Sequence, residues 1–361
     1  MKAIAVLTSG GDSPGMNACI RAVVRVAASR GVRVLGVEQG YDGLMEGRFR
    51  ELTRALPSGA LMPLDEVDLI AKEGGTILGS ARSQRFMTVE GRKDAAKHLL
   101  QTDGLVVIGG NGSLTGAHHL AHECQTPIVG VPASIDNDIG CTSTAIGVDT
   151  ALNTIVDACD KISDTARAHR RAFVVEVMGR ACGYLAMASA VAVAADAVLF
   201  REQSRSEDAL IAALADVARK SFSAERGKRR VLIIKAEGVE VPTASLVTGL
   251  QAAISKDVKG VDVRGVVLGH IVRGGNPTFQ DRMVGGRLGL AAVMALAEKQ
   301  TDVMVAWQPN AAGGTPTDDP AVQRFSIENV LSETAKLIDG SSNVTKRRVK
   351  QMEMIEGVLA L

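Results

Sequence analysis

Short, mostly apolar runs alternate along the chain with longer stretches whose apolar residues recur at helical spacing. Ile4 to Leu7, Leu105 to Ile108, Ile128 to Val131, Ala172 to Val177, Ala197 to Phe200, Val231 to Ile234, Gly265 to Leu268 and Asp302 to Ala306 read as buried, mostly parallel strands. Between them the pattern predicts a helix opening near Pro14 and running through Ala18 to Ala28. Another is expected from a cap at Ser113 to about Cys124, and a long one from Thr142 to Ala168, with Ile146, Leu152, Ile155, Val156, Cys159 and Ile162 facing a core. Further helices follow near Tyr184, over Ser206 to Phe222 and over Arg282 to Lys299. Strand and helix in alternation mean an α/β protein. The strand count, with a last helix and strand returning to the first sheet, predicts two similar three-layer lobes with mostly parallel sheets. Their expected extents are 1–146 plus 272–308 and 147–271 plus 309–361. Beyond Trp307 the pattern is uninformative.

The strand ends carry the chemistry. In open α/β sheets ligands collect at the carboxyl ends of strands. There the run Ile128 to Val131 is followed by Ser134-Ile135-Asp136-Asn137-Asp138, two carboxylates placed as a base and a metal ligand, although Asp-Asn-Asp is also good turn composition. Thr8-Ser9-Gly10-Gly11-Asp12 closes the first run, and Gly109-Gly110-Asn111-Gly112-Ser113 closes the second. Three glycine-rich or acidic ends in one sheet point to a phosphate and Mg²⁺ site. Gly10 and Gly15 have P-loop spacing, but Met16-Asn17 replace its Lys and Ser/Thr, so a tight strand-to-helix turn accounts for them equally well. Arg82 and Arg85 follow a loop of small residues, Gly74 to Ala81, where a guanidinium fork suits phosphate. Arg171, Arg180, Arg264, His270 and Arg273 flank later strands, and Glu237 closes another, where it can accept sugar hydroxyls. His118 and His122 lie one helical turn apart, a metal-ligand spacing. With no His-Glu-x-x-His and no third ligand evident, satisfied or exposed histidines are the plainer reading.

Composition narrows the classes. A net charge of +1 over 361 residues offers no field for nucleic acid or an anionic membrane, and 3% aromatics make no stacking platform for single strands. Five dispersed cysteines without a Cys-x-x-Cys pair fit reduced thiols in a cytosol. The first apolar run stops at Gly10-Gly11-Asp12, too soon for a signal peptide, and the longest later one, Met187 to Phe200, contains Asp196. The expectation is a soluble, untargeted, cytoplasmic protein.

Thr8 to Asp12 with Pro14-Gly15-Met16-Asn17, Gly79-Ser80-Ala81-Arg82, Gly109 to Ser113, Ser134 to Asp138, Glu176-Val177-Met178-Gly179-Arg180 and Gly269-His270-Ile271-Val272-Arg273-Gly274-Gly275 stand in the order in which the ATP-dependent 6-phosphofructokinase family has them. The chain resembles that family from Ile4 to about Asp281. The resemblance implies ATP and Mg²⁺ on the first lobe, fructose 6-phosphate mainly on the second, and an active site in the cleft at the strand carboxyl ends. It makes Asp136 the base for the sugar 1-hydroxyl with Ser134 beside it, and Asp138 and Asn111 the Mg²⁺ ligands. Arg82, Arg180 and the Gly11 N–H stabilise the transferring group. Met178, Gly179, Arg180, Glu237, Arg171, Arg264, His270 and Arg273 hold the sugar phosphate, and Tyr41, Arg85, Gly110, Gly112 and Ser113 surround the nucleotide. In bacterial relatives the residues matching Arg171 and Arg264 reach a neighbouring subunit's sugar site, so a homo-oligomer, a tetramer, is expected. Pyrophosphate-dependent relatives usually carry Asp at the position of Gly112 and Lys at that of Ala133; the small neutral residues here favour ATP. Asn111 departs from the family's usual Asp, which leaves open a catalytically weakened regulatory subunit. Arg21, Arg25 and Arg54 match cationic positions of the bacterial effector site, whereas Ser163 stands where those relatives have an Arg.

Overall fold

The computed structural model describes residues 1–309, 313–355 and 357–361. In chain order its strands are β1 (Ala3–Ser9), β2 (Arg33–Val37), β3 (Phe49–Glu51), β4 (Thr53–Ala55), β5 (Leu61–Pro63), β6 (Leu105–Gly109), β7 (Ile128–Pro132), β8 (Arg171–Val177), β9 (Ala197–Leu199), β10 (Arg230–Ala236), β11 (Asp262–Val267), β12 (Val303–Trp307), β13 (Thr315–Pro316), β14 (Val322–Ser326) and β15 (Leu359–Ala360). Its helices are α1 (Met16–Ser29), α2 (Gly40–Met45), α3 (Asp65–Leu69), α4 (Val89–Leu99), α5 (Asn111–Cys124), α6 (Val148–His169), α7 (Tyr184–Ala192), α8 (Glu207–Phe222), α9 (Thr243–Ile254), α10 (Phe279–Ala297), α11 (Ile327–Ile338) and α12 (Asn343–Met354).

The chain forms two compact units, residues 1–150 with 273–335, and 151–272 with 336–361. The first is built on a sheet of order β13-β14-β12-β7-β6-β1-β2-β3, in which β12, β7, β6, β1 and β2 run parallel and the outer strands antiparallel. Alternate residues of β1, β6 and β7 (Ile4, Val6, Val106, Ile108, Val129, Val131) pack into a core with α1 and α10, while α5 covers the other face. Burial on both faces explains why these strands read as continuous apolar runs. The second unit has the order β11-β8-β10-β9-β15, all parallel, with α8 and α9 on one face and α7 on the other. Local chemistry agrees with the helix that covers it. Ser206 caps α8 by accepting from the Ala209 N–H, with Glu207 and Asp208 in the first turn and Arg219 and Lys220 in the last.

Several expectations are corrected. The segment 313–335 belongs to the first unit, because β14 pairs antiparallel with β12, and only 336–361 joins the second, through β15 on β9. The long helix begins at Val148 and not at Thr142, since stronger backbone partners claim the intervening residues: Ile146 bridges Ala133, Thr144 bridges Trp307, and the Asn137 amide holds Ser143 and Ala145. Asp281 fixes the turn into α6, accepting from Gly147 N, Thr150 N and Thr150 Oγ1 at 2.8, 2.8 and 2.6 Å. Burial raises its pKa in spite of those bonds. Finally, α5 starts at Asn111 with Gly110 as its cap residue, and Ser113 is buried in the first turn rather than capping it.

Candidate active site

Three neighbouring strands of the first unit end at one level. Ser9 is in register with Gly109 and Gly109 with Pro132, so the loops after β1, β6 and β7 leave the sheet side by side. The α5 N-terminus follows the middle one directly and has no side-chain cap, which leaves amide donors and the positive end of the helix dipole to an anion. Gly109 permits this close arrangement, since a Cβ there would lie 2.6 Å from both the Ser113 Oγ and the Ser9 carbonyl oxygen. At Gly112, by contrast, a Cβ would meet nothing within 4 Å.

After β7 the backbone of Asp136 donates to Ser134 Oγ at 3.2 Å, and Asn137 takes the left-handed conformation (φ 51°). The two carboxylates thus have different surroundings: Asp136 is 2% exposed, Asp138 half-buried, and the Asn137 between them is structural. Arg273 reaches this loop within the same unit. Its Nη2 is 3.7 Å from Asp136 Oδ1 and its Nη1 donates to the Asp12 carbonyl at 3.3 Å. A Cβ at Gly11 would come within 2.9 Å of that Nη1, so glycine is what lets the guanidinium lie against the β1 loop. The sequence reading grouped Arg273 with the sugar-phosphate residues of the second unit; the structure ties it to Asp136 and Asp12.

The loop before Arg82 is fastened to the end of β1. Thr8 Oγ1 bonds Thr76 Oγ1 and the Gly79 carbonyl at 2.8 Å each, Ser80 Oγ donates to the Gly10 carbonyl at 2.7 Å, and Asn17 receives the Ile77 N–H and donates to the Glu73 and Gly74 carbonyls. Asn17, read from sequence only as a missing P-loop residue, therefore positions the loop that carries Arg82, which is exposed. Arg85 is exposed, with Asp94 of α4 binding its guanidinium at 2.6 Å. Tyr41, expected to flank the nucleotide, is buried. Its ring is 4% exposed and stacked on Phe86 at 3.8 Å, and its hydroxyl, whose pKa burial raises, donates to the Ser113 carbonyl at 2.7 Å. It supports the first turn of α5 from beneath. Of the cations matching an effector site, Arg25 pairs with Asp68 and Arg54 with Asp65, while Ser163 bonds Arg230.

In the second unit β8 and β10 end in register at Val177 and Ala236. Glu237 Oε1 accepts the N–H groups of Gly179, at 3.2 Å, and of Arg180, which holds Arg180 in a left-handed conformation (φ 50°) uncommon for a residue with a side chain. Met178, Gly179, Arg180 and Glu237 therefore form one group, with His270 exposed beyond the end of β11. Arg171 is not among them. It opens β8, about 20 Å from Met178 along the strand, and lies 3.6 Å from Asp262, which also binds Arg264 at 2.6 Å.

Comparison with known proteins identifies the fold. The family model described as Phosphofructokinase matches residues 3–296. The chain belongs to the phosphofructokinase family. It is 43% identical over 340 residues to an ATP-dependent 6-phosphofructokinase of Thermotoga neapolitana, covering 94% of this chain and 100% of the relative. It is 46% identical over 340 residues to one of Brevibacillus brevis, covering 94% and 99%. The solved phosphofructokinase of Saccharomyces cerevisiae superposes with a TM-score of 0.82 at 32% identity over 97% of this chain, which spans 48% of that longer yeast chain. A pyrophosphate-dependent phosphofructokinase from Marinobacter aquaeolei, 18% identical with a TM-score of 0.73 over 91% of this chain and 84% of its own, shares the fold.

One feature of this family member escaped the sequence reading. Lys235, 2% exposed in β10, lies opposite Glu176 of β8 and binds its Oε2 at 3.1 Å, one residue short of the two site loops; Thr243 donates to the same oxygen. A lysine inside the apolar run Val231 to Ala236 was the available signal. Lys235→Met should lower stability by about 3 kcal/mol, since removing one partner leaves a mostly buried carboxylate uncompensated. The double variant with Glu176→Gln should recover most of it in urea unfolding, and equal losses for the single and double variants would contradict the account.

Proposed function

We propose that the protein transfers the γ-phosphoryl group of ATP to the 1-hydroxyl of D-fructose 6-phosphate, giving fructose 1,6-bisphosphate in glycolysis. What carries this reading is the alignment of the β1, β6 and β7 ends with open space at Gly112, in a chain 43% and 46% identical to relatives named ATP-dependent 6-phosphofructokinase. Asp136 receives the proton of the sugar hydroxyl, with Ser134 holding its loop. Arg82, Arg180 and the Gly11 N–H stabilise charge on the transferring group, which is the main catalytic task in phosphoryl transfer. Arg273 orients Asp136 and ties it to the β1 loop. Gly110, Asn111, Gly112 and Ser113 present the α5 N-terminus to the nucleotide phosphates, supported by Tyr41. Met178, Gly179, Glu237 and His270 receive the sugar phosphate.

The donor set fits Mg²⁺. Asn111 at the start of α5 and Asp138 on the loop after β7 would hold it through side-chain oxygens, since this ion takes one or two carboxylates together with substrate phosphates and water. When bound, Mg²⁺ would supply positive charge against the nucleotide phosphates. Asn111 brings no charge, so Asn111→Asp should shift half-saturation to lower Mg²⁺, read from initial rates across a Mg²⁺ titration. An unchanged or weaker Mg²⁺ response would remove Asn111 from the ligand set.

The deciding experiment measures fructose 6-phosphate phosphorylation with ATP and with pyrophosphate side by side. ATP-dependent turnover is expected. Binding of the sugar phosphate without turnover from either donor at saturating Mg²⁺ would defeat the kinase reading.

The position of Arg171 and Arg264 supports a homo-oligomer, a tetramer, in which each chain lends these cations to a neighbour's sugar-phosphate site. They cluster at the end of β8 remote from Met178, where both guanidinium groups lie against Asp262. Co-expressing Arg171→Ala with Asp136→Asn should restore part of the activity missing from each variant alone, because mixed interfaces hold some intact composite sites. A fully active monomer in sedimentation would refute the shared site. Its compartment is the cytoplasm on this reading; no helix among the described residues is long and apolar enough to cross a membrane.

A further inference from the structure

The histidine pair on α5 has a third member that lies far away in the sequence. His118 Nδ1 is 3.0 and 3.1 Å from the two carboxylate oxygens of Asp302, and His122 Nε2 is 2.9 Å from Oδ2 of the same group. The three side chains offer one ligand atom each, all within 4.8 Å of one another. Asp302 is held there by its backbone. It adopts φ 54°, a left-handed conformation that aspartate tolerates better than most residues, while its N–H donates to the Ile128 carbonyl at 2.8 Å and its carbonyl accepts the Ile327 N–H at 2.9 Å. The carboxylate thus leaves the amino end of β12 towards the last turns of α5.

We infer that His118, His122 and Asp302 form a binding site for one divalent transition-metal cation of the Zn²⁺ class. Two imidazole nitrogens with one carboxylate oxygen make a donor set that such ions prefer, and imidazole is a poor ligand for Mg²⁺, which takes oxygen. The ligand spacing is close to what coordination needs, since tetrahedral ligands about 2.0–2.1 Å from a metal lie roughly 3.3 Å apart. His118 and Asp302 are half-buried, whereas the His122 side chain is 63% exposed, so a fourth position opens to water on that side. The site is separate from the nucleotide end of the helix, as His118 stands seven residues beyond Asn111, about 10 Å along the axis. A cation here joins two points 184 residues apart in the chain and holds the C-terminal half of α5 to the start of β12.

The test uses the full chain, stripped by a chelator and titrated with Zn²⁺ against a chromophoric competitor, then with Co²⁺ to read its visible absorption. One Zn²⁺ per chain is expected, retained in millimolar Mg²⁺, together with the bands of a four-coordinate Co²⁺ site. His122→Ala, at an exposed position that does not endanger folding, should weaken binding at least about 100-fold, since loss of even a supporting residue costs 10–100-fold. Cys124→Ser should bind as the parent does, which separates this site from the thiol two residues beyond His122. Phosphoryl transfer in metal-free His122→Ala with added Mg²⁺ should equal that of the metal-free parent. Stoichiometric Zn²⁺ binding unchanged in His122→Ala and in His118→Ala, or lost in Cys124→Ser, would overturn the assignment. So would no binding at micromolar Zn²⁺, which would leave the three groups as a hydrogen-bonded triad only.

Discussion

Asp136→Asn is expected to lower kcat roughly 10²–10⁴-fold while the KM for fructose 6-phosphate changes far less. Asparagine has the same shape, and the bond from the residue's own N–H to Ser134 Oγ is untouched, so the loop after β7 keeps its course. What disappears is the group that takes the hydroxyl proton. A carboxylate is a weak base for an alcohol, but in a loose transition state proton transfer lags behind phosphoryl transfer, and placement counts for more than basicity. Arg273, 3.7 Å away and 9% exposed, fixes that placement. Steady-state rates with an unchanged melting temperature are the measurement, and near-normal turnover would remove Asp136 from the role.

Gly112→Asp should cut kcat/KM for ATP roughly 100-fold, because like charges set against one another cost several kcal/mol. The structure makes this a clean experiment. A Cβ at Gly112 would meet nothing within 4 Å and the residue's backbone is ordinary helix, so the variant should fold. A carboxylate in the first turn of α5 should even raise stability slightly, by about 0.5 kcal/mol through the helix dipole. Activity and stability are thus expected to move in opposite directions. Retained ATP activity, measured beside thermal unfolding, would show that the nucleotide phosphates do not approach the α5 N-terminus.

Where the sequence was legible, the physics was local or strongly patterned. β1, β6, β7, β8 and β10 are covered on both faces, so each is built on an apolar run, interrupted in β8 and β10 by the Glu176–Lys235 pair, and the loops with special chemistry start where those strands stop. Less was visible where long-range partners decide. Nothing near Thr142 announces that Ala133 and Trp307 hold that segment in extended form. The strands β13 and β14 are short, antiparallel and partly exposed, and without β12 beside them they have no distinctive period. Ser113 looks like a cap because it follows Asn-Gly, and only the missing Cβ of Gly109 explains why it is packed inside instead. The same limit hid the company of individual side chains: Asp94 for Arg85, Asp12 and Asp136 for Arg273, and Asp302 for the two histidines.

The order in which the first unit's sheet is threaded bears on how the protein is made. Its central strands β1, β6 and β7 leave the ribosome early, yet the strand that covers the free edge of β7, and the helix α10 that packs on α1, belong to 273–335. At about 5–20 residues per second, the backbone edge of β7 waits roughly 10–35 s for β12 to be synthesised. An unpaired apolar edge is a template for pairing with another nascent chain. Slowed elongation after Pro132, or truncation before Val303, should therefore send this protein into aggregates, and chaperone capture should be greatest on ribosomes stalled between those two points.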